Sequence, residues 1–403
     1  MEECCRRQRG LFCPSQTSHA PCQSSVLNLV PANIWDGHPL TRNQQEPREV
    51  PAPSANEIQV AVHSTGLCGS DLHYYNHNRN GDILVREPLT LGHESSGVVT
   101  AVGSSVSNFK PGDRVALEVG VPCDSCHRCE QGRYNICKDM KFRSSAKSFP
   151  HFQGTLQGRI NHPAKWCHKL PEGMSMELGA LLEPLGVAIH AYRRSLMQPG
   201  QTALVFGAGA VGLLAAAVAK TKGAKTIIIA DIDVGRVDFA VKNGFAHHGF
   251  VVPMKRGKDT DENLAIARET ADGIAKVTDE SGSAIGEVDV VFECTGVPTC
   301  VQSGIYATKP GGRVMLIGMG IPIQTLAMSS AALREVDLVG VFRYANTYPE
   351  GISIATSPSA PDLSKLVTHK YKGLESCVDA FGMAGRTKDD EGKLVLKVVI
   401  ETA

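Results

Sequence analysis

The sequence predicts an α/β protein in which a doubly wound parallel sheet is inserted into a β-rich domain that the C-terminal residues rejoin. Three observations carry this. At 403 residues the chain is long enough for two hydrophobic cores. A strand, a glycine turn, a helix and a second strand ending on an acid follow one another from Thr202 to Asp231. Upstream, short β-like runs alternate with Gly and Pro turns, and a last such run, LVLKVVI, nearly closes the chain.

Taken from the start, MEECCRRQRGLFCPSQTSHAPCQSS has early arginines but no apolar stretch of signal-peptide length. Glu2 and Glu3 argue against a mitochondrial transit peptide. Residues 1–25 are expected to form a disordered extension, and the compartment is expected to be cytoplasmic. The formal net charge is zero, with no basic stripe for nucleic acid and no acidic tail. No apolar run approaches the ~20 residues of a membrane helix. Of 13 cysteines, four lie in the extension and four in one short cluster. Cys68 sits in a Gly-flanked turn. Cys167, Cys294, Cys300 and Cys377 are scattered and read as small buried apolar residues.

Residues 26–185 are expected to form the first part of the β-rich domain, through EIQVAVHSTG, LGHESSGVVTAVG and KPGDRVAL. Within it lies CDSCHRCEQGRYNIC, with Cys123, Cys126, Cys129 and Cys137 spaced C-x2-C-x2-C-x7-C. In a reducing compartment such a cluster holds metal more often than disulfides. Four thiolates on one loop can close a tetrahedron around Zn²⁺ with no open position, which makes a structural site. The spacing is wrong for a ferredoxin-type iron–sulfur run, and no βαβ junction supports a redox pair. A metal-free loop is the remaining alternative.

A second, dispersed set comprises Cys68 in GLCGSDLHYY and His93–Glu94 in LGHESSG. Most His-Glu pairs are surface accidents. Here each candidate has a glycine beside it or next but one, and the three residue types suit zinc with a position left open. Asp71 is placed to orient a zinc-bound histidine.

Residues 186–342 are expected to form the inserted nucleotide-binding domain. The run Ala203–Phe206 is followed by G-x-G-x-x-G at Gly207, Gly209 and Gly212, an Ala/Leu-rich helix, and the strand Thr226–Ala230 leading to Asp231, 19 residues past Gly212. The glycines admit the tight turn, the approach of a diphosphate and close helix packing. The diphosphate would meet free N–H groups at the helix start. Asp231 would accept from ribose hydroxyls and repel a 2′-phosphate, so NAD is expected rather than NADP. Further strands are expected at 249–253, 288–294, 313–317 and 337–342, and the charged stretch 255–287 reads as one exposed helix and a loop. The tail, 343–403, is expected to begin extended and to pack back on the N-terminal domain, leaving a ligand cleft between the two.

These segments together resemble the zinc-dependent medium-chain dehydrogenases, and within them the polyol dehydrogenases of the sorbitol, xylitol and L-arabinitol group. The likeness runs from about Ile58 to the C-terminus. It includes GLCGSDLHYY, LGHESSG, the four-cysteine lobe, LLEPL around Glu183, GAGAVG, ADID, ECTG and VFRYANTYP. The resemblance implies a GroES-like catalytic domain with an inserted Rossmann domain, NAD and two zinc ions, and a homotetramer. It implies that Cys68, His93 and Glu94 bind catalytic zinc, with Glu183 a further carboxylate that ligates directly or through water. Ser70 and His73 match a proton relay; Tyr74, Glu183, Arg343 and Tyr344 match substrate contacts. Val211, Asp231, Arg236, Ile317, Gly318, Met319, Val341, Phe342 and Arg343 match NAD contacts. Singly, Ser70 and His73 could be turn formers, the tyrosines packing residues and Arg343 a surface charge. The chain departs from the pattern in its first fifty residues, where WDGHPLTRNQQEPREVPAP stands in place of a regular opening hairpin. A metal-free nucleotide binder, a threonine-type dehydrogenase and a dehydrogenase of a specialised secondary-metabolite alcohol are the rival readings.

Overall fold

The computed structural model describes residues 22–29 and 44–402. Its six-stranded parallel sheet has the order His248–Val251, Thr226–Asp231, Thr202–Phe206, Val288–Glu293, Thr308–Leu316, Asp337–Gly340. The central strands are continuous apolar runs, as a sheet covered on both faces requires: Leu204, Val205, Ile228, Ile229 and Val291 are all fully buried. Chain order reverses on the two sides of Thr202–Phe206, which opens a crevice beyond the carboxyl ends of the strands. The stretch 255–287 holds one helix, Thr260–Ala275, started by Asp259, whose side chain accepts from the Glu262 N–H.

A second sheet runs Cys167–Lys169, Arg114–Leu117, Glu94–Val102, Glu57–Gly66, Lys397–Glu401, Val367–Lys372, with Arg159–Pro163 also on Glu57–Gly66. The tail therefore does return: Val399, Ile400 and Glu401 pair antiparallel with Gly66, Thr65 and Ser64. This closure sets Lys397 beside the turn that carries Cys68.

Two local expectations are corrected. The tail does not run extended after Arg343, since Tyr348–Ala355 is a helix. Pro349 is compatible with it because the first turn of a helix has no intrahelical use for its N–H. The opening segment does form an antiparallel pair, Cys22–Leu29 with Gln44–Val50. Of the expected extension, residues 1–21 lie outside the described residues, while Cys22–Ser25 belong to that first strand. Among the described residues no helix is long and apolar enough to cross a membrane.

Candidate active site and metal centres

Cys68 caps the helix Gly69–His77, in extended conformation at φ −107°. Three residues into the helix, Asp71 turns back and accepts from the Cys68 N–H at 3.2 Å. Its other oxygen accepts from the Gly92 N–H at 3.2 Å, the Ser144 hydroxyl at 2.6 Å and His93 Nδ1 at 3.1 Å. Asp71 is completely buried. Burial raises its carboxyl, but the His93 charge and these hydrogen bonds outweigh that and hold it below the ordinary range. Nδ1 of His93 is thus committed, and Nε2 is the nitrogen left for a metal. Burial acts to lower His93, yet the Asp71 charge raises it well above its ordinary value.

Glu94 opens the strand Glu94–Val102 beside His93. Ligand atoms of Cys68, His93 and Glu94 lie within 4.8 Å of one another. A thiolate, an imidazole and a carboxylate converging in this way form a three-ligand donor set of the kind that fits catalytic zinc. The backbone makes the space: a Cβ on Gly66 would stand 2.3 Å from Glu94 Oε2. The Glu94 carboxylate also receives both contacts of buried Lys397 Nζ, at 2.7 and 2.8 Å, while Nζ donates to the Leu67 carbonyl at 3.1 Å. Burial lowers Lys397, but the Glu94 charge more than restores it. Glu183, in the first turn of the helix Leu182–Ser195, lies outside the three-residue group. Burial, and next to it the charge of Glu94, push its carboxyl up to about 7 against the opposing charge of His93.

The four-cysteine lobe has Sγ separations of 3.6 Å (Cys123–Cys137), 3.5 Å (Cys126–Cys129) and 3.9 Å (Cys123–Cys129). These are far from a disulfide length of roughly 2 Å. They match the edge of about 3.8 Å in a tetrahedron with Zn–S bonds of roughly 2.3 Å. Hydrogen bonds from Ser125 hold the Cys123 thiol down at about 6, whereas burial and the neighbouring thiols push Cys129 up to about 12 and raise Cys137, so it is the separations that carry the fit. The residues fit structural zinc.

The expected cofactor positions all fall at the carboxyl edge of the parallel sheet. The helix Ala210–Thr221 starts from Gly209. A Cβ on Gly212 would meet the Gly207 carbonyl oxygen at 1.8 Å, so only glycine lets the helix seat on its strand. Val211 lies half-buried in its first turn. Asp231 accepts from the N–H groups of Ala208 at 2.7 Å and Asp233 at 2.9 Å, which ties the acid to the glycine turn. Arg236 donates to the Val395 carbonyl at 3.1 Å, while its buried Nε has no partner. Ile317, Gly318 and exposed Met319 follow the end of Thr308–Leu316, and Val341, Phe342 and Arg343 follow Asp337–Gly340.

Of the expected substrate and relay residues, Ser70 Oγ lies 3.5 Å from His93 Nε2, and His73 is exposed one turn along the same helix. Tyr74 is buried, its hydroxyl accepting from the Ala146 N–H at 3.3 Å. Arg343 is no free surface charge. Its guanidinium lies 3.6 Å over the Phe142 ring, and that ring stands 5.7 Å from the His93 ring. Tyr344 is buried, and its hydroxyl faces the charge of Glu183. Sequence reasoning missed Lys397, Ser144 and Phe142. Only Lys397 gave a signal, a lone cation inside the apolar run LVLKVVI.

Two family models match the chain: the alcohol dehydrogenase GroES-like domain over residues 54–172 and the zinc-binding dehydrogenase domain over 210–357. Sorbitol dehydrogenase of Gallus gallus is 39% identical over 353 residues, covering 87% of this chain and 92% of that one. Sorbitol dehydrogenase of Homo sapiens is 40% identical over 332 residues, covering 82% and 87%. Among solved structures, an oxidoreductase/dehydrogenase of unknown specificity from Escherichia coli superposes with TM-score 0.78 at 30% identity, covering 95% of this chain and all of that one. L-idonate 5-dehydrogenase of Escherichia coli gives 0.77 at 25%, covering 95% and 99%.

Proposed function

Because this chain belongs to the zinc-dependent medium-chain dehydrogenases, in their sorbitol dehydrogenase group, we propose that it oxidises a polyol such as sorbitol, xylitol or L-arabinitol to the ketose with NAD+. The observation that carries the reading is the convergence of Cys68, His93 and Glu94, whose ligand atoms lie within 4.8 Å of one another. Bound zinc supplies a Lewis acid that lowers an alcohol's pKa, as it lowers that of water from 15.7 to about 7, and NAD+ supplies the hydride acceptor.

The chain's own residues do the rest. Cys68, His93 and Glu94 hold the catalytic ion, and Asp71 fixes the His93 ring. Glu183, buried near Glu94 and His93, serves as the further carboxylate. Ser70 takes the proton from the site and His73 passes it to solvent. Tyr74, Arg343 and Tyr344 bind the remaining hydroxyls. A simple alcohol has no further hydroxyls to meet these groups, which penalises it relative to a polyol. Gly207, Gly209, Val211 and Gly212 receive the NAD diphosphate and Asp231 the ribose, whose hydroxyls can use the spare lone pairs of its oxygens. Arg236, Ile317–Met319 and Val341–Arg343 line the rest of the cofactor crevice. Cys123, Cys126, Cys129 and Cys137 hold structural zinc.

We divide the chain into a catalytic part, 26–185 and 343–403, around an inserted nucleotide-binding part, 186–342. We assign it to the cytoplasm as a homotetramer.

The test is NADH production over sorbitol, xylitol, L-arabinitol, ribitol and L-threonine, with and without exhaustive metal stripping. Polyol-dependent NADH that disappears on stripping and returns with zinc is expected. Full activity after stripping, or turnover of L-threonine alone, overturns the reading.

A further inference from the structure

Tyr134 and Asn135 lie in the short turn Tyr134–Ile136, inside the four-cysteine lobe between Cys129 and Cys137, and both are buried. Neither touches the core of the lobe alone. Asn135 Nδ2 reaches 207 residues along the chain to donate to the Phe342 carbonyl at 2.8 Å, and its other hydrogen points at His190 Nε2, 3.3 Å away. That nitrogen is free to accept, because burial, with the charges of Arg194, Arg193 and Arg133, lowers His190 to about 4 and keeps it neutral at pH 7. The Tyr134 hydroxyl donates to Glu118 Oε1 at 2.5 Å and accepts from the Asn346 N–H at 2.6 Å. The Asn346 side chain donates back to the Gly132 carbonyl at 2.9 Å.

Residues 342–346 are thus pinned at both ends to residues 132–135. Between the pins, Arg343 has φ +50° and Asn346 φ +57°. Asparagine tolerates the left-handed region, but arginine has no such preference and stays there only where its surroundings over-determine it. The same stretch carries the Arg343 guanidinium over Phe142 and the buried Tyr344.

We propose that the four-cysteine lobe positions the polyol-binding segment, with Tyr134 and Asn135 as the positioning residues that transmit the lobe's shape to Arg343 and Tyr344. The inference rests on the reading of Arg343 and Tyr344 as substrate contacts. Metal in the lobe fixes Cys129 and Cys137, the flanks of the turn, and so sets where the two hydrogen-bonding side chains stand. The lobe then contributes to substrate recognition as well as to stability.

The test compares Tyr134→Phe, Asn135→Ala and Arg343→Ala holoenzymes with the parent. For the first two, the polyol KM is expected to rise about tenfold with kcat within about threefold. Zinc content is expected to stay near parental, and any loss of NADH affinity through Phe342 and Arg343 to be smaller than the rise in polyol KM. Amide exchange over 342–346 is expected to quicken, and Trp166, whose ring centroid is 4.8 Å from that of Tyr134, should change its fluorescence. Should one variant fail to fold, the other decides. Parental KM and parental exchange in both folded variants overturn the inference. If Arg343→Ala raises KM while neither lobe variant does, the inference alone fails. If Arg343→Ala itself keeps the parental KM, the substrate reading fails with it.

Discussion

Replacing Asp71 by Asn isolates the charge that orients His93. The side chain keeps its shape and remains fully buried, where water cannot substitute for a lost partner. Four donors point at its two oxygens: the Gly92 N–H, His93 Nδ1 and Ser144 hydroxyl at one, the Cys68 N–H at the other. An amide has one oxygen, so either way round its NH2 faces a donor that cannot accept. Losing a charge-assisted hydrogen bond costs about 1.5–3 kcal/mol, and stranding a buried donor about 1–3 kcal/mol. The first figure corresponds to roughly 10- to 150-fold in an equilibrium constant, in the range by which partners of metal-bound histidines alter affinity. The catalytic zinc of Asp71→Asn should therefore dissociate at least tenfold more readily in competition with a chromophoric chelator. The slower release from the four-cysteine lobe should be unchanged. Catalytic-site affinity within twofold of the parent, with an unchanged melting temperature, would refute the reasoning.

Asp231→Ala removes the acceptor expected to read the ribose and unties the Ala208 N–H. The NAD/NADP ratio of kcat/KM should fall at least tenfold, about 1.4 kcal/mol, and an unchanged ratio contradicts the assignment. Cys126→Ser should deprive the lobe of its ion and lower the melting temperature by about 5 °C or more, with metal analysis showing the loss. Normal thermal stability there counts against the clamp. His162, fully buried between the Arg143 guanidinium at Nδ1 and the Glu118 carbonyl at Nε2, is lowered to about 3, first by burial and then by the Arg143 charge. The unfolded chain takes up this proton below about 6.5 and the folded one does not. Its contribution is therefore complete above that pH and shrinks as pH falls, by about 2 kcal/mol between pH 6.5 and 5. Denaturant melts of His162→Gln at the two pH values should show a correspondingly smaller acid loss than the parent; equal losses argue against it.

What could be read without coordinates was whatever a short stretch of backbone encodes. The glycine turn, its helix and Asp231 lie within one βαβ unit, at the spacing a diphosphate-binding turn requires. The four cysteines fall within fifteen residues, so a single loop sets their separations. Even the failures near the tail were local: Pro349 was compatible with a helix start, and no periodicity over so short a segment distinguished helix from extended chain.

The sequence by itself determined the fold class, the donor types of two candidate metal sites and the acid proposed to select the cofactor. Tertiary structure alone decided which charges meet in the dry interior. Lys397 reaches Glu94 across 303 residues because the last strand pairs beside Gly66. Asn135 reaches Phe342 across 207 because the lobe folds against the end of the other sheet. Propensity and capping act over a turn or two, whereas burial and low dielectric act on whatever the closed chain brings together. Glu183, unremarkable as one carboxylate in LLEPL, acquires its shifted proton affinity only there.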